Sequence, residues 1–185
     1  MQPRGFLARA ALALACLAHY LVSPAATADD LGTRLLRQPA VSKDHLAFVY
    51  GRDIWVSDRN GQHPTRLTTH PASESVPHFS PDGNWIAFSA GYDNNIDVYV
   101  IPVQGGQPRR LTWHPAADIV TGWSSDGKRV LFVSNREVSN SRSGQFYEVP
   151  LDGGYERKIM KAVAVEGTWS PDGKRLAYRP YIQAY

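Results

Sequence analysis

The chain has 185 residues, with 20 Lys+Arg against 17 Asp+Glu and a formal net charge of +3. Two of the basic residues, Arg4 and Arg9, lie at the extreme N-terminus, and the rest are scattered in ones and twos, as in Arg109-Arg110 and Lys128-Arg129. This balance excludes the dense positive footprint of a nucleic-acid binder, and a lone cysteine, Cys16, excludes a disulfide framework.

The first segment reads as a leader. Arg4 and Arg9 form a basic n-region, residues 10–22 an apolar run broken only by His19, and Ala26-Thr27-Ala28 supplies small residues at −3 and −1 of a cleavage site. The apolar run is too short for a membrane span, which needs about 20 residues. Cys16 follows Ala13-Leu14-Ala15, which puts the leucine in the wrong place for a lipid-attachment box. Residues 1–28 are therefore expected to be a secretory signal peptide and residues 29–34 a linker. The mature chain is expected to be exported, periplasmic or secreted, and free of the membrane after cleavage. It would contain no cysteine.

A repeat follows. Ser80-Pro81-Asp82-Gly83, Ser124-Ser125-Asp126-Gly127 and Ser170-Pro171-Asp172-Gly173 recur 44 and 46 residues apart, and Ser42-Lys43-Asp44-His45 is a degenerate copy 38 residues earlier. Ser, Pro and Gly in this order suit a type I turn. Each turn is followed by an apolar run (Leu46-Ala47-Phe48-Val49, Trp85-Ile86-Ala87-Phe88, Val130-Leu131-Phe132-Val133, Leu176-Ala177-Tyr178). In the first three copies a second run follows (Ile54-Trp55-Val56, Val98-Tyr99-Val100-Ile101, Phe146-Tyr147-Glu148-Val149), then a Gly turn and a third run beginning Thr65-Arg66, Arg109-Arg110 or Arg157-Lys158. A fourth run ends just before each Ser-x-Asp turn, at Val41, Phe79, Trp123 and Trp169. No sustained 3.6-residue apolar period appears after the leader.

Four short antiparallel strands every 40 to 48 residues predict an all-β chain, a β-propeller of four-stranded blades. The blades are expected at 36–70, 75–114 and 119–162, with an incomplete one at 165–185, together a partial propeller over 35–185. The repeated aromatic before the turn (Phe79, Trp123, Trp169, with Val41 in the degenerate copy) is expected to pack between blades, because a blade cannot bury both faces alone. About three and a half blades fall short of the four to eight that close a propeller, so the chain is expected to be the N-terminal piece of a longer protein. Residues 29–185 alone are expected to self-associate.

Few residues suggest chemistry. Asp93, Asn95 and Asp97 have the spacing that opens a Ca²⁺ loop, but Val98 stands where its Gly belongs and Gln104 where its Glu belongs. Turn capping is expected there, and no metal or cofactor. His70-Pro71 and His114-Pro115 recur at one blade position and read as loop residues. There is no G-x-S-x-G elbow, and no catalytic residue is expected. The binding candidates line the channel that propellers enclose: Glu74 and Asp118 just before the innermost strand, and His78 and Glu166 within it. There they would meet the charged ends of a peptide.

The wording of the repeat resembles a known family. Phe48-Val49-Tyr50-Gly51-Arg52-Asp53-Ile54-Trp55-Val56, Tyr92-Asp93-Asn94-Asn95-Ile96-Asp97-Val98-Tyr99-Val100, Leu111-Thr112-Trp113-His114-Pro115-Ala116-Ala117-Asp118 and Trp169-Ser170-Pro171-Asp172-Gly173-Lys174-Arg175-Leu176-Ala177-Tyr178 are similar to the PD40/TolB-type propeller that begins tricorn proteases, in its secreted bacterial form. The resemblance covers residues 35–185. It implies a six-bladed N-terminal propeller followed by a second propeller, a PDZ domain and a C-terminal serine peptidase core. The propeller would screen peptides on their way to that core, and none of the family's catalytic positions falls in the matching region. The partners implied are peptides or a protein, the remainder of the same polypeptide, and further copies of the full-length protein. Two alternatives stay open: a TolB-like interaction module, and the propeller of a PD40-containing amidohydrolase.

Overall fold

The structure is a computed structural model and describes residues 35–138 and 143–181. The leader and linker expected over residues 1–34 lie outside the described residues.

The apolar runs fold as strands in the order the repeat predicts. The first sheet holds β1 (Arg37–Val41), β2 (His45–Tyr50), β3 (Asp53–Asp58) and β4 (Thr65–Arg66). The second holds β5 (Glu74–Phe79), β6 (Trp85–Ala90), β7 (Asp97–Pro102) and β8 (Arg109–Arg110). The third holds β9 (Asp118–Trp123), β10 (Arg129–Ser134), β11 (Gln145–Pro150) and β12 (Arg157–Lys158). A fourth, two-stranded sheet pairs β13 (Ala164–Trp169) with β14 (Leu176–Pro180). Every sheet is antiparallel with its strands in chain order, which is the blade of a propeller. A 3-10 turn, Tyr92–Asn94, links β6 to β7.

The Ser-x-Asp turns have a common geometry. Ser80 Oγ donates to Asp82 Oδ1 at 2.5 Å and accepts the Trp85 N–H at 3.0 Å, while Asp82 Oδ1 accepts the Asn84 N–H at 3.1 Å. The copies at Ser124 and Ser170 repeat these bonds. The degenerate copy keeps only the serine's part, with Ser42 Oγ accepting the His45 N–H at 2.9 Å. Gly83 sits at φ +74, a conformation costly for a residue with a Cβ. The hydroxyl of Ser80, then Ser124 and Ser170, holds the carboxylates of Asp82, Asp126 and Asp172 below the usual range.

The core lies between blades. One cluster joins Val49, Ile54 and Ala47 of blade one to Ile86, Phe88 and Ile101 of blade two, and a second joins Val98 and Val100 to Val120, Trp123, Phe132 and Tyr147. Trp123, the repeated aromatic, is buried across that second seam, its Nε1 donating to the His78 carbonyl at 2.9 Å. The third cluster is thinner: Leu131, Val133, Phe146 and Ala164, with Trp169 and Leu176 packed against them.

The outer strands are shorter than the third runs suggest, at two residues each. In the first two blades a threonine two positions on turns its hydroxyl inward. Thr68 Oγ1 accepts the Ile54 N–H at 2.9 Å and Thr112 Oγ1 the Val98 N–H at 3.0 Å. A side chain thus meets the need of strand three that a longer partner strand would have met.

Candidate functional site: an inner-strand groove and the seams behind it

The first strand of each blade is its innermost, and β1, β5, β9 and β13 stand side by side. Between β5, β9 and the β13–β14 hairpin runs a groove of about 560 Å³, walled by His78, Thr121, Glu166, Thr168, Tyr178 and Arg179 with apolar neighbours. Each inner strand carries an irregularity in its pairing with the second strand. On β5 it places Val76 at φ +47, which is strained for a β-branched residue, and the Val76 N–H donates across the seam to Gln38 Oε1 at 2.9 Å. Gly167 lies on the wall, and the packing behind it excludes a Cβ, which would lie 2.6 Å from Phe146 Cζ and 2.8 Å from the Ala177 carbonyl oxygen.

The groove's polar groups are few. Glu166 Oε1 accepts from Arg179 Nε at 2.8 Å, both side chains largely exposed. Burial pushes the His78 imidazole below its ordinary value, so it stands neutral at pH 7. The groove can therefore offer a carboxylate, a guanidinium, three hydroxyls and a neutral imidazole to a ligand.

Of the four residues expected on the channel, His78 and Glu166 line this groove. Glu74 and Asp118 do not. They are 2% and 0% exposed, each the first residue of an inner strand and each turned into the seam with the preceding blade. Glu74 Oε2 accepts the Ile54 N–H at 3.0 Å and the Thr68 hydroxyl, and Oε1 accepts the Tyr92 hydroxyl. Asp118 instead takes Arg136 Nη2 at 3.0 Å on both oxygens, and Arg136 also pairs with Glu156. Tyr92 and Arg136 occupy one place in the repeat, two residues past the second strand. Behind them Asp53 pairs with Arg66 at 2.8 Å and Asp97 with Arg110 at 2.7 Å. Burial drives both Glu74 and Asp118 upward, Glu74 against hydrogen bonds from Thr68 and Tyr92, Asp118 against Ser134 and Arg136.

The other tempting motifs are built into turns and seams. Asp93 and Asp97 both pair with Arg110, at 3.3 and 2.7 Å, so their charge is met by a guanidinium. His70 Nδ1 and His114 Nδ1 each accept a backbone N–H two residues on, Ala72 and Ala116, both at 3.0 Å. The recurrence of His-Pro is thus a repeated turn cap. Among the described residues no three of His, Cys, Asp and Glu converge as a metal-binding group.

Sequence comparison matches residues 33–185 to the tricorn protease N-terminal beta propeller domain. A putative tricorn protease homolog 2 of Streptomyces coelicolor is 39% identical over 56 residues, 30% of this chain and 5% of the relative. The chain thus spans a small part of that relative's length. Among solved structures, a putative TolB from Agrobacterium tumefaciens superimposes with a TM-score of 0.67 at 23% identity, over 78% of this chain and 53% of that one. The tricorn protease superimposes with a TM-score of 0.65 at 22% identity, over 75% of this chain and 14% of that one.

Proposed function

The chain belongs to the tricorn protease N-terminal beta propeller family, and from that premise we propose that it is the substrate-access and scaffolding module of an exported serine peptidase. Hydrolysis would be performed by a C-terminal core beyond the segment described. The inner-strand groove carries this reading. Its exposed Glu166–Arg179 pair offers both signs of charge to the two ends of a peptide. The neutral His78 and the Thr121 and Thr168 hydroxyls can bond a peptide's main chain without selecting its sequence. A strained bulge at Val76 on the same wall is the kind of feature that gathers at working surfaces. The leader pattern of Arg4, Arg9, residues 10–22 and Ala26-Thr27-Ala28 supports a periplasmic or secreted location.

The likeness to TolB supports a second reading, a docking platform for a folded protein partner. One titration separates the two. Short unstructured peptides with free termini are added to the isotopically labelled chain, and backbone amide shifts are followed by NMR. The access reading expects shifts confined to Val76, His78, Thr121, Glu166 and Arg179, weakened by Arg179→Ala. Peptides that leave those amides unmoved at millimolar concentration would sink it.

A further inference from the structure

Five carboxylates are buried among the described residues: Asp53, Glu74, Asp97, Asp118 and Glu148. Four of them have an arginine. Asp53 pairs with Arg66, Asp97 with Arg110, Asp118 with Arg136 and Glu148 with Arg157, at 2.7 to 3.0 Å. Glu74 has none, because Tyr92 stands where Arg136 stands in the next blade, and a phenol brings a hydrogen bond without a charge. An uncompensated carboxylate in such a place is costly, and the usual outcome is that the group neutralises.

A second observation points the same way. Asp53 Oδ1 is buried without a hydrogen-bond partner. In the neighbouring seam the equivalent oxygen, Asp97 Oδ1, accepts the Thr112 hydroxyl at 3.4 Å. The counterpart hydroxyl, on Thr68, lies within reach of Glu74 and not of Asp53 Oδ1, so the Asp53 charge is met by Arg66 alone and disfavours a second negative charge beside it. From these two facts we infer that Glu74 is held as the neutral carboxylic acid in the folded chain at neutral pH, its proton standing where the other four buried carboxylates have an arginine.

One proton spares the seam a second buried negative charge beside Asp53. Carried on Glu74 Oε2, it reverses the Thr68 bond, so that Glu74 donates to Thr68 Oγ1. That oxygen can accept it beside the Ile54 N–H, since a hydroxyl has two lone pairs. Tyr92 continues to donate to Oε1.

The surroundings agree. Burial pushes Glu74 above its ordinary 4.5, and the Asp53 charge adds to the push. Burial, then Glu74, drives the Tyr92 phenol far above its own range, so it stays a donor. The facing groups are Asp53 on β3, Arg66 on β4, Tyr99 on β7 with its ring 4.5 Å from that of Tyr92, and His70, its ring tilted against Tyr92 at 3.9 Å. Arg66 is committed to Asp53 and to the Thr68 carbonyl. His70 Nδ1 is occupied as an acceptor. Arg52, itself exposed, contributes its carbonyl to the Glu74 N–H at 2.9 Å. The seam between blades one and two is thus a joint that alkali loosens. A raised acid contributes stability that is fully present below its unfolded value and lost as pH rises through its folded value. Within that window the folding equilibrium constant falls about tenfold per pH unit.

Infrared spectroscopy of the full chain tests this. At neutral pH the folded protein should show the carbonyl stretch of a protonated carboxylic acid. Glu74→Gln should lack it, and alkali should remove it from the wild type. If Glu74→Gln fails to fold, Tyr92→Arg, which supplies the missing cation, should also abolish the band, and the wild-type titration decides without either variant. No such band in the wild type at neutral pH overturns the inference, as does a band unchanged in folded Glu74→Gln. Melting that depends on Na⁺, K⁺ or Ca²⁺ at constant ionic strength would also overturn it, by showing a metal cation in the proton's place.

Discussion

The seam between blades one and two and the seam between blades two and three are assembled from equivalent positions yet closed by different chemistry. Glu74 meets Tyr92 and a threonine, whereas Asp118 meets Arg136, which also pairs with Glu156. The backbone pattern is common to both, down to the strand-three N–H received by a threonine hydroxyl. At the third seam the carboxylate is absent, with Ala164 at its place and Gln145 where Asp53 and Asp97 stand. In the first two seams the repeat therefore places an acid at one position, while the partner that meets its charge is settled locally by whichever residue the second loop delivers.

The comparison breaks hardest at Arg136. Arg136→Met should leave Asp118 buried without a cation and destabilise the chain by about 3–5 kcal/mol, measured by urea unfolding. Tyr92→Phe removes a donor but no charge and should cost less, about 1–3 kcal/mol in the same assay. Equal losses would mean that the two seams are closed alike.

A finer contrast lies in the threonines. Ile54 N–H has two acceptors, Thr68 Oγ1 and Glu74 Oε2, whereas Val98 N–H has Thr112 Oγ1. Thr112→Val should therefore destabilise more than Thr68→Val, by about 1 kcal/mol. Amide exchange at Val98 and Ile54 in each variant checks the assignment. The smallest effect belongs to the turns. Asp126 has a lowered folded value, set first by Ser124, so its contribution is present above its ordinary 3.8 and lost as pH falls through the folded value. Asp126→Ala should flatten the acid limb of the stability profile and leave the neutral range nearly unchanged.

Much of the fold was legible because its signals are local. The Ser-x-Asp-Gly turn requires a left-handed glycine and a serine that bonds its own backbone, and residues such as Ser80 and Gly83 declare both. The inward threonines and short outer strands were harder to read, since Thr68 looks like the end of a strand. Glu74 and Asp118 were placed correctly along the chain and wrongly in space. Their position beside the inner strand points to the channel, but their side chains turn into the seams, to partners on the second loops, Tyr92 in one and Arg136 in the other. No shared motif marks two such different residues as equivalent. The usable signal was an acid at one repeat position facing a tyrosine or an arginine two residues past the second strand.

The outer margin of the blades has a consequence of its own. β4, β8 and β12 are two residues long and consist of Thr65–Arg66, Arg109–Arg110 and Arg157–Lys158. An intruding chain would find there almost no free main-chain ladder to extend, and a cation at nearly every step. The same arginines that neutralise Asp53, Asp97 and Glu148 inside thus act outside as gatekeepers against fibre-like growth. Replacing one of them would both unbalance a buried acid and open the margin, coupling solubility to internal charge balance through a single side chain.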